Sequence, residues 1–319
     1  MERIINFSPI KDQLMNKCLL SILLFLTDLS LYSYETISKK PITFGYNPKA
    51  DDLDRHKTIL YAGERPRYSA CSGVVWMPGD NYLISVHLFS GTISTYEFDK
   101  AAPSLEPLTC LGKKEGFSLN HPENLDISPD GTWGIISQGV GTLNFFKLSG
   151  ETGLIYPSPI SLRHTNKDWV HGVALSKDGT FIASTSIGEN AKICIYKRKN
   201  KKFKIHQVLE TKIRPLEPKG VAFSPDGRFL AACYCQTIGT NKTKDPKATL
   251  EIYRFDSQSQ SFDPNPISSF TKIPGNMETV KFSPDGSYLV TTDQIYDEVF
   301  VHNFDPIRGA LLDSKVLLQ

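Results

Sequence analysis

Ile127-Ser-Pro-Asp-Gly131, Leu175-Ser-Lys-Asp-Gly179, Phe223-Ser-Pro-Asp-Gly227 and Phe282-Ser-Pro-Asp-Gly286 are near-copies of one turn in a chain of 319 residues. Proline presets φ, and glycine supplies the left-handed conformation that such a turn requires. Trp76-Met-Pro-Gly-Asp80 is a scrambled fifth copy and Phe7-Ser-Pro9 a truncated sixth. Measured at the proline position (Lys177 in one copy), the copies fall at 9, 78, 129, 177, 225 and 284. The steps are 69, 51, 48, 48 and 59. A period near fifty with local insertions marks a repeat architecture.

Around each turn the same strand grammar recurs. A short segment such as Val221-Ala-Phe-Ser224 enters the turn, and an apolar run such as Phe229-Leu-Ala-Ala-Cys233 or Tyr288-Leu-Val-Thr-Thr292 leaves it. A third, alternating strand follows, as in Leu250-Glu-Ile-Tyr-Arg-Phe255 and Val299-Phe-Val-His-Asn-Phe304. A weaker fourth closes the unit, for example Gln207-Val-Leu209. Four antiparallel strands per repeat of this length predict an all-β chain: a single β-propeller over 1–319, with blades starting near 3, 72, 123, 171, 219 and 278. Radial packing buries both faces of each blade, which accounts for an apolar second strand. The extra residues fall in insertions at 36–70 and 237–247. The first holds Arg55, His56, Arg65 and Arg67 and offers a docking surface; the second carries the Asn241-Lys-Thr243 sequon.

Lys+Arg 36 against Asp+Glu 34 gives a net charge of +2, without the strongly basic balance of a general nucleic-acid binder. The basic run Lys197–Lys204 reads as a solvated turn between two strands. Six cysteines include no CxxC pair and no zinc spacing, so they read as buried apolar residues of a cytoplasmic protein. The stretch Met15–Leu26 has two readings. It resembles a short signal peptide beginning at Met15, which would export the protein. Alternatively, residues 18–26 are the second strand of the first blade, and the alternating Leu29-Ser-Leu-Tyr-Ser-Tyr34 directly after them favours this. It is too short for the roughly 20 residues of a membrane-spanning helix.

Two further stretches carry a family likeness. His121-Pro-Glu-Asn-Leu-Asp-Ile-Ser-Pro-Asp-Gly131 leads on to Leu143-Asn-Phe-Phe-Lys-Leu-Ser-Gly-Glu-Thr-Gly-Leu154, and Val299–Phe304 runs on to Arg308-Gly-Ala-Leu311. This cadence resembles the seven-bladed lactonase propellers related to bacterial 6-phosphogluconolactonase, over most of residues 70 to 319. The resemblance implies hydrolysis of a sugar lactone. However, where that family carries Pro-Arg-His and Asn-Glu, this chain has Cys71-Ser72-Gly73 and His87-Leu88. Six units are visible against the family's seven. WD-repeat proteins are less similar, because no unit has a Gly-His start or a Trp-Asp finish.

The repeat itself nominates a site. Six residues before the marker stand Arg3, Ser72, Glu123, His171, Lys219 and Glu278; nine after it stand His87, Gln138, Ser186, Tyr234 and Asp293. All are polar, and all lie where inner and second strands meet one mouth of the channel. Solvated strand ends would also be polar. Read as a site, the ring of Arg3, Ser72, Glu123, His171, Lys219 and Glu278, with Gln138 and Asp293, binds a ligand at a concave mouth. Glu123, His171 and His87 are the candidates for acid–base catalysis. No cofactor or metal motif is present, although the carboxylates and histidines could hold a divalent cation. The expected function is binding of a small anionic or sugar-derived ligand, or of a protein partner, with no nucleic acid and no membrane. The alternative is a lactone hydrolase with a rebuilt site.

Overall fold

Side chains close each Ser-Pro-Asp-Gly turn. The hydroxyls of Ser128, Ser176, Ser224 and Ser283 donate to the aspartate two residues on at 2.5–2.6 Å. The same oxygens accept the amide of the residue that opens the next strand, Trp133, Phe181, Phe229 or Tyr288. The turn glycines Gly131, Gly179, Gly227 and Gly286 have φ between 67° and 74°. In the scrambled copy Asp80 takes that position at φ 57°, a left-handed conformation that aspartate tolerates better than most residues.

The computed structural model describes residues 71–319 apart from 102–103, 165–167, 201, 211–215, 237–246, 275, 294–297 and 319. The unit expected over residues 1–35, with Arg3 and the 18–26 strand, lies outside the described residues. So do the 36–70 insertion and nearly all of the 237–247 insertion.

The described chain folds as five antiparallel blades in a propeller arrangement. The first comprises β1 (Cys71–Trp76), β2 (Tyr82–His87), β3 (Thr92–Asp99) and β4 (Ser104–Leu111). The second comprises β5 (Pro122–Ile127), β6 (Trp133–Gln138), β7 (Thr142–Leu148) and β8 (Ile155–Arg163). The third comprises β9 (Trp169–Leu175), β10 (Phe181–Ile187), β11 (Lys192–Lys199) and β12 (Lys202–Glu210). In the fourth, β13 (Leu216–Phe223), β14 (Phe229–Gln236) and β15 (Lys247–Asp256) are joined by β17 (Ser268–Pro274), with the short β16 (Ser261–Phe262) in a hairpin off β15. The fifth comprises β18 (Met277–Phe282), β19 (Tyr288–Asp293), β20 (Glu298–Asp305) and β21 (Ala310–Leu318). Among the described residues the only helical element is a 3-10 turn at Lys113–Glu115. None is a helix long and apolar enough to cross a membrane.

Alternation within each strand sends successive side chains into different cores. Ile136 packs with Ile84 and Val86 between the first and second blades, and its neighbour Ile135 packs with Val170 and Val173 between the second and third. Ala174 and Val221 share the next core, Leu250 and Leu289 the one after. The second strands are therefore largely apolar, because neither of their faces meets water.

The inner strands β1, β5, β9, β13 and β18 follow one another in chain order, and each carries a β-bulge against its second strand. The register slips at Cys71/Gly73, Pro122/Asn124, Pro218/Gly220 and Met277/Thr279, leaving Ser72, Glu123, Lys219 and Glu278 as the extra residues. In the third blade His171 and Gly172 together lie opposite Thr185. A bulge leaves an amide unpaired and redirects a side chain.

Second-strand side chains take up the freed groups. Ser137 Oγ accepts the Asn124 amide at 3.0 Å and donates to the His171 carbonyl at 2.6 Å. Thr185 Oγ1 accepts the Gly172 amide at 2.7 Å and donates to the Lys219 carbonyl at 2.6 Å. Cys233 Sγ accepts the Gly220 amide. Val86 stands at this position in the first blade, and there Ser72 Oγ itself bonds the Pro122 carbonyl at 2.6 Å. The backbones approach so closely that a Cβ on Gly172 would lie 2.3 Å from the Lys219 carbonyl oxygen. Thr185→Val, which keeps volume but strips the hydroxyl, should lower unfolding free energy by about 2–4 kcal/mol in urea melts, for two buried groups left unpaired. Thr185→Ser should lose less than half as much.

Candidate functional site

The bulges of the second to fifth blades bring four of the counted residues together. His171 Nε2 lies 3.7 Å from Glu123 Oε2 and 3.3 Å from Glu278 Oε2. Lys219 Nζ donates to Glu278 Oε1. The His171–Glu278 contact joins the third blade to the fifth across the fourth, so these side chains point towards a common axis. All four are mostly buried, with side chains 10–24% exposed.

The environment separates the two carboxyls. Burial raises Glu123 above the usual carboxylate value, against the lowering effects of His171 and of a hydrogen bond from Trp169. Burial acts on Glu278 too, but the His171 hydrogen bond and the Lys219 charge outweigh it and hold this group below the usual value. Burial disfavours the Lys219 charge as well, and the Glu278 carboxylate more than offsets that, raising the lysine above its ordinary value. As pH falls, Glu123 is therefore protonated first while Glu278 stays ionised. The ionic Glu278 contact stabilises the fold above the ordinary carboxylate value and is lost as pH drops through the lowered one. The raised Glu123 has the opposite sign, disfavouring the fold while it is charged.

Sequence reasoning missed Trp169. Its Nε1 donates to Glu123 Oε1 at 2.6 Å. The indole rests against Gly139, where a Cβ would come within 2.7 Å of the ring, and lies 5.0 Å from the His121 ring. The available signal was a tryptophan two residues before His171, where other units carry His121, Glu217 or Asn276.

The other counted residues are placed differently. Ser72 is spent on the Pro122 carbonyl. In the second set, His87, Gln138 and Asp293 bond within their own blades. His87 Nε2 meets Ser85 Oγ at 3.1 Å and Ser94 Oγ at 3.2 Å. Gln138 Oε1 accepts the Asn120 amide at 2.7 Å, and Asp293 Oδ2 accepts the Asn276 amide at 2.6 Å. Tyr234 lies in the core between the third and fourth blades, with its hydroxyl 2.7 Å from that of Tyr253. Ser186 is buried with no hydrogen-bond partner among the described residues.

Among the described residues no three His, Cys, Asp or Glu side chains are arranged to hold a metal ion. None of the five described cysteines is in a disulfide. Burial pushes the Cys194 thiol up to about 11 and Cys235 up to about 12, which suits packing rather than nucleophilic attack.

Comparison with known proteins supports the fold. The WD domain, G-beta repeat family matches residues 158–197. That stretch covers most of the third blade, although Tyr196-Lys197 stands where such repeats finish Trp-Asp, so the WD likeness, weaker on sequence, is found in this one unit. A protein of Lactobacillus plantarum has a similar structure at TM-score 0.55 and 15% identity, over 78% of this chain and 70% of that one. A protein of Bacteroides uniformis, provisionally described as a 6-phosphogluconolactonase, aligns at 0.53 and 15% over 81% and 88% of the two chains. One of Bacteroides fragilis, described in the same way, aligns at 0.51 and 14% over 79% and 86%. At such identities the likeness establishes the propeller fold alone. No curated protein matches the chain.

Carboxyl titrations followed by carbon NMR should give Glu123 a midpoint above that of Glu278. Trp169→Phe removes a hydrogen bond to the ionised form and should raise the Glu123 midpoint further. Lys219→Met should raise that of Glu278. Coincident midpoints would contradict the asymmetry.

Proposed function

We propose that the Glu123–His171–Lys219–Glu278 cluster binds a small, hydroxyl-rich, sugar-derived ligand. The observation that carries this reading is the convergence of four titratable side chains, each from the bulge of a different blade. Carboxylates accept hydrogen bonds from hydroxyl groups, and His171 Nδ1 has no partner among the described residues, which leaves one strong polar contact to be made. An anion suits the cluster less well, because its single lysine already pairs with Glu278 beside a second carboxyl. Rigid sheets hold these groups in place before the ligand arrives, which keeps the entropic cost of binding low.

The separated carboxyls favour one second reading, lactone hydrolysis. Glu278, the more acidic carboxyl, would take a proton from the attacking water, and Glu123, the less acidic, would donate one to the leaving ring oxygen. The lactonase-like structural neighbours lend this reading a precedent of fold.

Calorimetry with glucose, gluconate and gluconolactone tests the binding, and a lactonase assay with and without divalent metal tests the chemistry. Glu123→Gln and His171→Ala should weaken binding by about 1–3 kcal/mol, the scale of a charged hydrogen bond. If the site is hydrolytic, both should reduce kcat far more than they raise KM, because acid–base groups act in the transition state. Unchanged binding and turnover in both variants would reduce the cluster to a solvated rim.

A further inference from the structure

The third blade carries a charge imbalance that its own fold does not resolve. In the β11–β12 hairpin, Lys197 lies directly across from Lys204 and Lys199 across from Lys202. Directly opposed like charges destabilise an antiparallel pair. Lys199, Lys202 and Lys204 are exposed. Among the described residues none of the four lysines has a carboxylate at ion-pair distance. Lys197 instead reaches Gln260 Oε1 and lies 5.7 Å from the Phe181 ring centroid. Arg198 is accommodated over Trp133, at 6.0 Å, and helps to lower the Asp130 carboxyl.

β12 is also the outermost strand of its sheet. Its second half is covered: Gln207 donates to the Phe262 carbonyl at 2.6 Å and accepts the Phe262 amide at 2.8 Å, while His206 meets the Gln260 carbonyl at 2.9 Å. Along Lys202–Ile205 no described strand pairs with the outer edge, and Ile205 is 53% exposed. The outer strands β4 and β8 are interrupted by Pro107 and Pro157, which cannot donate to a further ladder. β12, like β21, contains no proline. Edge lysines do repel stray strands, but scattered single charges serve that purpose without setting lysine against lysine inside the hairpin.

We propose that the Lys202–Ile205 edge of β12 accepts an extended acidic peptide segment by strand addition. Its carboxylates would neutralise the opposed lysines, its backbone would pair with the free edge, and an apolar side chain would cover Ile205. A polyphosphate could use the charge alone, which is why the observations favour a peptide.

The probe is a short fluorescent peptide of alternating Glu and Val, with a backbone N-methylated twin, titrated against the full chain by anisotropy. Saturable binding is expected, weakened about tenfold or more by N-methylation. Lys202→Glu and Lys204→Glu should abolish it while raising Tm, since each turns a repelling pair into an attracting one; loss of binding then cannot come from unfolding. Equal binding of the two peptides would mean charge without strand addition and would overturn the proposal. So would tighter binding to heparin or to phosphatidylserine vesicles than to the peptide, or no binding at millimolar peptide.

Discussion

A second-strand side chain wedged between neighbouring blades is the contact on which the rest of the molecule rests. The inner strand of each blade contains one residue too many, and the amide released there needs a partner in the dry interior. Ser137 and Thr185 supply it, and each spends its own proton on the carbonyl of the next blade's bulge. One side chain thus repairs its own sheet and fastens the neighbouring one. With polar groups satisfied in this way, inner strands can approach to backbone contact, for which Gly172 and Gly220 leave room. The direction of the bulged side chains follows from the same arrangement.

The electrostatics of the cluster depend on that spacing. Two carboxyls and an imidazole gathered in a mostly buried place would be costly if unpaired. Lys219 and His171 meet that cost for Glu278, and Trp169 meets part of it for Glu123. Glu123 is left with the smaller share of positive charge, which is why its proton is held more tightly. Local geometry, rather than residue type, makes two glutamates chemically different.

Much of this was legible in the sequence because the repeat has a fixed internal count. The Ser-Pro-Asp-Gly turns set the register, and stepping back six residues reached His171, Lys219 and Glu278 without any knowledge of bulges. The same counting reached Gln138, Tyr234 and Asp293, which bond within their own blades instead. A residue near the end of a strand can turn back into its own blade, and a position in the repeat does not say which way it turns. Trp169 stayed hidden because it serves Glu123 of the preceding blade, a relation across the repeat rather than within it. Ser137 and Thr185 were plain to read but looked like minor polar interruptions of apolar strands. Their value lies in amides that no sequence pattern shows to be free.

At the bulges the backbone carbonyls of Pro122, His171 and Lys219 take the hydroxyl bonds that fasten one blade to the next, while the side chains of Glu123, His171, Lys219 and Glu278 pair with one another and with Trp169. Structure and chemistry are therefore assigned to different atoms of the same residue. An exchange of side chain at that point leaves the backbone bonds in place and disturbs only the side-chain pairs. A protein built in this way is refitted for a new ligand by re-pairing neighbouring side chains together, while the backbone bonds between blades stay as they are.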